Sequence, residues 1–548
     1  MLFREVFRVV GAYLFVLSIA MLLPIGVGAY YQFYKSPELH PQPHTTIHFL
    51  QALGVCIALC ALFSYWGRKA KRNLFRREAI CAVVIIWLIS PAVGCLPFLF
   101  SGTLKNPFQA YFEMASGFTT TGASIVLPKK FDAAGQEIPY TTHIPDVQPT
   151  NYSFYGTIDP VRDASGQILY EGVEALGKAL LVWRSFSQWL GGVGIVVLFV
   201  AILPALGVGG RVLFQTEMPG PMKDALTPRI KETAWQLWKI YIGLTLSEIF
   251  LLKLTNPALP WFDTVTLSFS TLSTGGFVIR NDNVAHYASA STEWVITLFM
   301  FLGGVNFSLY YFALKGKFYR LYETEFLCYL FLVLLTCGIC ASYLVGFTAA
   351  PLVGSTQGLY SQSEGIRYAS FQIISALTST GFIIQNYDLW PIAAQVLMLI
   401  CMFSGAMSGS TSGGIKIIRH YMMFRIAQYK TESLFHPEAV RNFRIGDREI
   451  GTGAAMMVLS FFIIIISLAV FSALAFAMDG IDAQTCLSLV ACMINNAGIG
   501  FRMNGATGSC AFLSDFSLTL SSLLMILGRL EFFAILSMLI PAFWQIDK

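Results

Sequence analysis

The sequence predicts an all-α polytopic membrane protein of about ten transmembrane helices: two N-terminal helices, then four helix–pore loop–helix repeats around one pore. Three observations lead there. Of 548 residues, 55% are hydrophobic and only 12% charged, about half the charged share of a soluble domain. Apolar runs long enough to cross a bilayer recur along the whole chain. Eight of those runs form four pairs, and each pair encloses a short stretch rich in Ser, Thr and Gly. The composition rules out a water-soluble enzyme, a disordered scaffold and a secreted disulfide module.

A spanning helix needs about 20 mostly apolar residues. The first run covers 6–31 and the second 47–66. Arg4 and Arg8 flank the start of the first as in a signal peptide, but the run exceeds the roughly 7–15 residues of such a segment. An uncleaved anchor is expected. Further long runs begin near Glu78, Lys178, Ala234, Thr292, Glu325, Leu389, Gly451 and Asp515. The predicted organisation is a leader at 1–77, then repeats at 78–203, 204–314, 315–424 and 425–548. The first repeat carries an insertion at 126–174, rich in Pro, Tyr, Thr and Asp. Either an external cap or a tolerated surface insertion fits it.

The net charge of +5 says less than where the charges fall. Arg68, Lys69, Lys71, Arg72, Arg76 and Arg77 follow the second span. Alternate later loops carry Arg211, Lys223, Arg229 and Lys231, then Lys315, Lys317 and Arg320. The last of them carries Lys416, Arg419, Arg425, Lys430, Arg441, Arg444 and Arg448. The opposite loops are poorer in basic residues, so both termini are expected in the cytoplasm and the short stretches enter from outside. Of eleven cysteines most lie in apolar runs; the pair Cys337 and Cys340 reads as packing rather than a redox site, and only Cys510 is expected to face water. No basic run carries interleaved aromatics in a polar context, so no nucleic-acid partner is expected. His40, His44 and His48 have metal-like spacing, but Pro41 and Pro43 prevent the helix that would align them.

The four short stretches are copies of one another: SGFTTTG at 116–122, FSTLSTG at 269–275, SALTSTG at 375–381 and CMINNAG at 492–498. Counting back from each last glycine gives Thr120, Thr121 and Gly122; Ser273, Thr274 and Gly275; Ser379, Thr380 and Gly381; Asn496, Ala497 and Gly498. Half-length apolar segments precede them, such as 107–118 and 482–494. About 12 helical residues reach only ~18 Å, too short to cross the hydrocarbon. Such a half-helix points its partly negative carboxyl end at the membrane centre, where it favours a cation. Chain returning through protein can line a polar path with carbonyls that replace a cation's hydration shell. One such stretch alone would suggest only close helix packing. Four copies entering from one side favour a pore.

These residues carry a resemblance to the Trk/Ktr/HKT superfamily of potassium-translocating proteins, nearest its bacterial TrkH type. Further residues in it are WRSFSQWLGGVG at 183–194, EMPGP at 217–221, PRIKETA at 228–234, GSTSGGIK at 409–416 and LGRLE at 527–531. They span nearly the whole chain. The resemblance implies potassium bound by the backbone at the twelve positions above, and uptake across a bacterial inner membrane. Gly122 stands where the family's sodium-preferring members tend to carry serine, which favours potassium. Two departures are Ile499, where relatives usually carry proline, and the length of 126–174.

The run 404–414 has too much Gly and Ser for an unbroken helix at membrane depth. In the family the matching stretch is a gating loop beneath the filter, which here would comprise Gly409, Ser410, Thr411, Ser412, Gly413, Gly414 and Lys416. Arg529 lies mid-span, where an ionisable side chain is functional by default; its charge under the filter would oppose permeation. Glu531 could instead pair with it structurally, and Lys416 could simply snorkel. Glu113, inside the first half-helix, could attract cations or pin the half-helix. No nucleotide-binding motif is present, so the resemblance implies a cytosolic nucleotide-binding ring of the TrkA type, and a homodimer embedded in membrane lipid. The basic segment 416–448 fits either that ring or anionic headgroups. The rivals are a secondary transporter of sodium or of an organic solute, and a membrane enzyme, which the scarcity of His within spans disfavours. The sequence leaves channel-like passage and coupled transport open.

Overall fold

A computed structural model describes residues 3–35, 40–70, 75–145, 149–192, 230–352, 358–435, 444–445, 448–449 and 452–544. The leader is a helical hairpin. Its first span joins α1 (Phe3–Ala20) to α2 (Leu22–Phe33), and α3 (Thr46–Gly67) returns along α1. Both predicted runs fall inside these helices.

Repeat one comprises α4 (Arg76–Gly94) with its continuation α5 (Leu96–Phe100), the half-helix α6 (Pro107–Phe118), and α7 (Lys178–Gly192). Asn106 accepts a hydrogen bond from the Phe108 N–H at 2.8 Å and Pro107 opens the helix, which fixes where α6 starts. Repeat two comprises α8 (Ile230–Thr255), the half-helix α9 (Trp261–Leu272), and the pair α10 (Ala290–Gly303) and α11 (Phe307–Leu314), bent by 95°. Repeat three comprises α12 (Thr324–Leu344), the half-helix α13 (Gln362–Leu377), α14 (Ile392–Ser404) and, beyond a loop, α15 (Ile417–Phe435). A capping box between Ser361 and Glu364 starts α13. Repeat four comprises α16 (Thr452–Met478), the half-helix α17 (Ala483–Asn495), α18 (Asp515–Arg529), α19 (Phe533–Leu539) and α20 (Pro541–Trp544). The motifs at 217–221 and 228–229 lie outside the described residues, as do Arg211 and Lys223.

Among the described residues, five helices are long and apolar enough to cross a membrane, and the bent pair is a sixth. The closing helices of repeats three and four are shorter because each is interrupted, at 405–416 and at 530–532.

The insertion departs from the all-helical expectation. It holds three antiparallel hairpins: β1 (Lys130–Phe131) with β2 (Glu137–Ile138), β3 (Tyr140–Ile144) with β4 (Thr150–Phe154), and β5 (Val161–Arg162) with β6 (Ile168–Tyr170). Two of the turns repeat one pattern, DAAGQ at 132–136 and DASGQ at 163–167. In each, an Asp carboxylate accepts backbone N–H groups two and four residues on, at 2.8–2.9 Å. Rather than standing free, the middle hairpin docks on repeat four. The Tyr152 hydroxyl donates to Asp482 Oδ1 at 2.7 Å and accepts from the Asp482 N–H at 2.9 Å. Cys510 is fully buried, contrary to expectation, because its N–H is drawn to the Ser124 carbonyl at 2.9 Å.

Candidate functional site

All four half-helices end the same way. Past each helix a non-glycine residue adopts a left-handed conformation: Thr120 (φ 56°), Thr274 (φ 52°), Ser379 (φ 56°) and Asn496 (φ 52°). The next N–H turns back to a carbonyl in the helix: Thr121 to Ser116, Gly275 to Ser270, Thr380 to Ser375 and Ala497 to Cys492, at 2.8–3.0 Å. A glycine with positive φ follows: Gly122, Gly276, Gly381 and Gly498. The expected register of the second copy is therefore one residue early. Its three positions are Thr274, Gly275 and Gly276, while Ser273 (φ −73°) merely caps α9. Adjacent glycines at 275 and 276 made both registers possible on sequence; the left-handed turn needs its glycine two residues after the left-handed Thr.

These glycines close a ring. A Cβ built on Gly122 would fall 2.2 Å from the Gly275 carbonyl oxygen, and one on Gly276 would fall 1.9 Å from that of Thr380. One on Gly381 would fall 2.8 Å from the Ala497 oxygen, and one on Gly498 would fall 2.2 Å from that of Thr121. Each loop thus packs its glycine on the carbonyl of the next, in the order one, two, three, four and back to one. Ile499 does not disturb this, since its loop keeps the same turn. Thr120, Thr121, Thr274, Thr380, Asn496 and Ala497 are fully buried.

Polar braces hold the ring. Glu113 is buried and accepts from Arg184 Nε at 2.8 Å, from the Ile125 N–H at 2.9 Å and from the Ser124 hydroxyl. It therefore pins the loop that returns from the first half-helix. Arg184 in turn donates to the Val278 carbonyl at 2.9 Å, tying the first loop to the second. Gln188 donates to the Gly275 carbonyl at 2.6 Å and accepts from the Phe277 N–H at 3.0 Å. Sequence reasoning gave Arg184 and Gln188 no role of their own. Their spacing of four on one helix, beside the Glu113 half-helix, is the signal that was there to read.

Beneath the ring runs the loop 405–416. Thr411 donates from its hydroxyl to the carbonyls of Leu272 and Gly303, both at 3.0 Å. The Gly413 N–H donates to the Ser379 hydroxyl at 2.7 Å, and a Cβ there would lie 2.4 Å from the Asn495 carbonyl oxygen. Ser412 touches Ser379 at 3.2 Å. The loop so contacts the ends of the second, third and fourth half-helices. Arg529 reaches the same place from α18. It donates to the Thr411 carbonyl at 2.8 Å and to the Gly191 and Gly192 carbonyls at 2.7 and 2.9 Å. Lys416 does not snorkel: it is buried and donates to the Ser412 carbonyl inside the loop. Glu531 pairs with Arg419 rather than with Arg529. Gly409 (φ 73°) and Gly414 (φ 73°) turn the loop at either end, and Ser410 donates to the Met407 carbonyl.

Comparison with known proteins is consistent along the whole chain. The sequence profile of the TrkH family, described as cation transport protein, matches residues 161–546. The chain is 30% identical over 551 residues to the Trk system potassium uptake protein TrkH of Halomonas elongata, covering 99% of both. It is also 30% identical over 548 residues to the protein of that name from Escherichia coli K12, again covering 99% of both. The crystal structure of the potassium transporter TrkH from Vibrio parahaemolyticus superposes with a TM-score of 0.78 at 28% identity, over the full length of both chains.

Proposed function

Because the chain belongs to the TrkH family of cation transport proteins, we propose that it takes up potassium through the ring of four loops. The observation that carries this reading is the cyclic packing of each loop's glycine on its neighbour's carbonyl. Four half-helices aim their carboxyl ends at that ring, an arrangement suited to a desolvated cation. The ion-binding positions are Thr120, Thr121 and Gly122; Thr274, Gly275 and Gly276; Ser379, Thr380 and Gly381; and Asn496, Ala497 and Gly498. The repeats divide at 78–203, 204–314, 315–424 and 425–548. Both termini are cytoplasmic, in a bacterial inner membrane, and the half-helices enter from outside. There the 126–174 insertion forms an external brace.

The loop 409–416 is the gate, and Arg529 holds it shut. A guanidinium below a cation filter raises the barrier to permeation, and its bond to the Thr411 carbonyl keeps the loop in the path. The chain works as a homodimer, with a cytosolic nucleotide-binding ring of the TrkA type acting on its basic loops.

Cation flux into proteoliposomes of the purified chain, with potassium, rubidium, sodium and lithium compared across imposed gradients, tests this. Wild type is expected to favour potassium and rubidium, and Gly122→Ser to erode that preference. An undiminished preference in Gly122→Ser would sink the filter assignment.

A further inference from the structure

We propose that the ion pair of Arg419 and Glu531 is a latch that keeps Arg529 on the loop, making both of them positioning residues for the gate. The inference rests on the gate reading above and extends it to residues that touch neither filter nor loop centre. It begins with an anomaly in the backbone. Helix α18 ends at Arg529, and the next turn closes with the Phe532 N–H on the Leu527 carbonyl (3.1 Å) and the Glu531 N–H on that of Gly528 (3.3 Å). That is the helix ending in which glycine normally supplies the left-handed residue. Here Glu531 (φ 55°) and Phe532 (φ 64°) stand in that region instead. Two bulky residues there are strained, and strain of this kind persists only where the surroundings impose it.

The surroundings are specific. Glu531 Oε2 accepts from Arg419 Nη2 at 2.5 Å, with the side chains 21% and 7% exposed. The Arg419 guanidinium lies over the Phe461 ring at 4.0 Å, and Phe461 meets Phe532 at 5.5 Å. Each strained residue thus has a partner: the carboxylate holds Arg419, and the Phe532 ring packs on the ring that Arg419 covers. Arg419 belongs to the first turn of α15, three residues past Lys416 at the loop's exit. The contacts therefore make a closed circuit. It runs from the Thr411 carbonyl to Arg529, through the end of α18 to Glu531, across to Arg419, and back along the chain to the loop. A carboxylate at a glycine position makes sense if its charge is needed there. Past Met422, which is still buried, α15 becomes exposed along one face, with Phe424, Leu434 and Phe435 at 69–80%. A displacement of α15 would part Arg419 from Glu531 and release Arg529's turn from outside the pore.

The test compares resting potassium flux, the potassium-to-sodium ratio and thermal stability in reconstituted full-length chains. Glu531→Gly is the informative variant, because glycine suits the φ while removing the charge. It is expected to raise resting flux about tenfold, equivalent to ~1.4 kcal/mol of closed-state preference, with selectivity unchanged and melting temperature equal or higher. Arg419→Gln should raise flux similarly, and the swap Arg419→Glu with Glu531→Arg should return it towards wild type. Arg529→Ala is the control for the gate. If Arg529→Ala raises flux while Glu531→Gly and Arg419→Gln stay at the wild-type level, the latch is wrong and the gate stands. If Arg529→Ala raises nothing, both fall.

Discussion

At the scale of the residue, each position of the glycine ring is decided by one missing or one present atom. Gly276 has φ 81°, and its Cβ would meet the Thr380 carbonyl oxygen, a backbone atom that cannot step aside. Gly275 has no such φ, and its Cβ would press on the Gln188 side chain, from its amide to its Cβ, so a substitution there displaces a brace rather than a carbonyl of the ring. Gly276→Ala should therefore abolish selective flux, whereas Gly275→Ala should retain measurable potassium preference; the reverse order would restore the register that sequence counting suggested. Glu113 presents the opposite case, a charge that must stay. Replacing it with Ala leaves Arg184 buried without its carboxylate, a change that typically costs about 3–5 kcal/mol. Glu113→Ala is expected to melt well below wild type, and exchanging it for Gln should recover part of the loss, since one amide oxygen at the Oε2 position still accepts from both Ser124 and Ile125. A melting temperature unchanged in Glu113→Ala would show that the pair is dispensable.

At the scale of the element, the β3–β4 hairpin is a brace on the fourth half-helix. Its Tyr152 hydroxyl serves the same Asp482 that caps α17 by accepting from the Thr485 N–H at 3.1 Å. Tyr152→Phe removes two hydrogen bonds at that cap and should destabilise the chain by roughly 1–3 kcal/mol, measured as a lower melting temperature. A second tie joins the loops after the third and fourth half-helices, where Asp388 accepts from the Ala506 N–H at 2.9 Å. Burial pushes the Asp388 carboxyl up to about 6, against the pull of the Ala506 and Arg502 N–H groups. The folded chain then binds more protons than the unfolded one between pH ~4 and ~6. This contribution is complete below about pH 4 and is lost as pH rises through about 6. Wild type should lose stability relative to Asp388→Asn as pH rises across that interval, and a pH-independent gap would refute it. Half-helix boundaries were legible because their signals are local: Asn106 with Pro107, and Asp482. The second register was not, since two glycines compete there; counting six residues on from Ser116, Ser270 and Ser375 would have chosen Gly122, Gly276 and Gly381. The hairpins are legible only in the repeated DAAGQ and DASGQ turns, since the overall composition of 126–174 marks no strand. Arg419 and Glu531 are 112 residues apart, and nothing local links them.

At the scale of the whole molecule, one chain closes the ring that separate subunits would otherwise share. The glycine-on-carbonyl contacts run through all four loops and return to the first without leaving the chain. Covalent linkage lets the quarters differ. A symmetric tetramer would bring four copies of Arg529 to one axis, where like charges repel strongly. A single chain places Arg529 there once, against the loop that follows α14. The fourth quarter can likewise carry Asn496, whose amide donates to the Thr121 hydroxyl at 2.9 Å and stitches the last loop to the first. If the proposed ring is the ion path, each chain conducts by itself even inside the proposed dimer. Proteoliposomes made from mixtures of wild-type and Gly122→Ser chains should lose potassium selectivity in linear proportion to the variant fraction. A pore built between chains would lose it as a higher power of the wild-type fraction, so a curved dependence would place the path at the interface and overturn the single-chain ring.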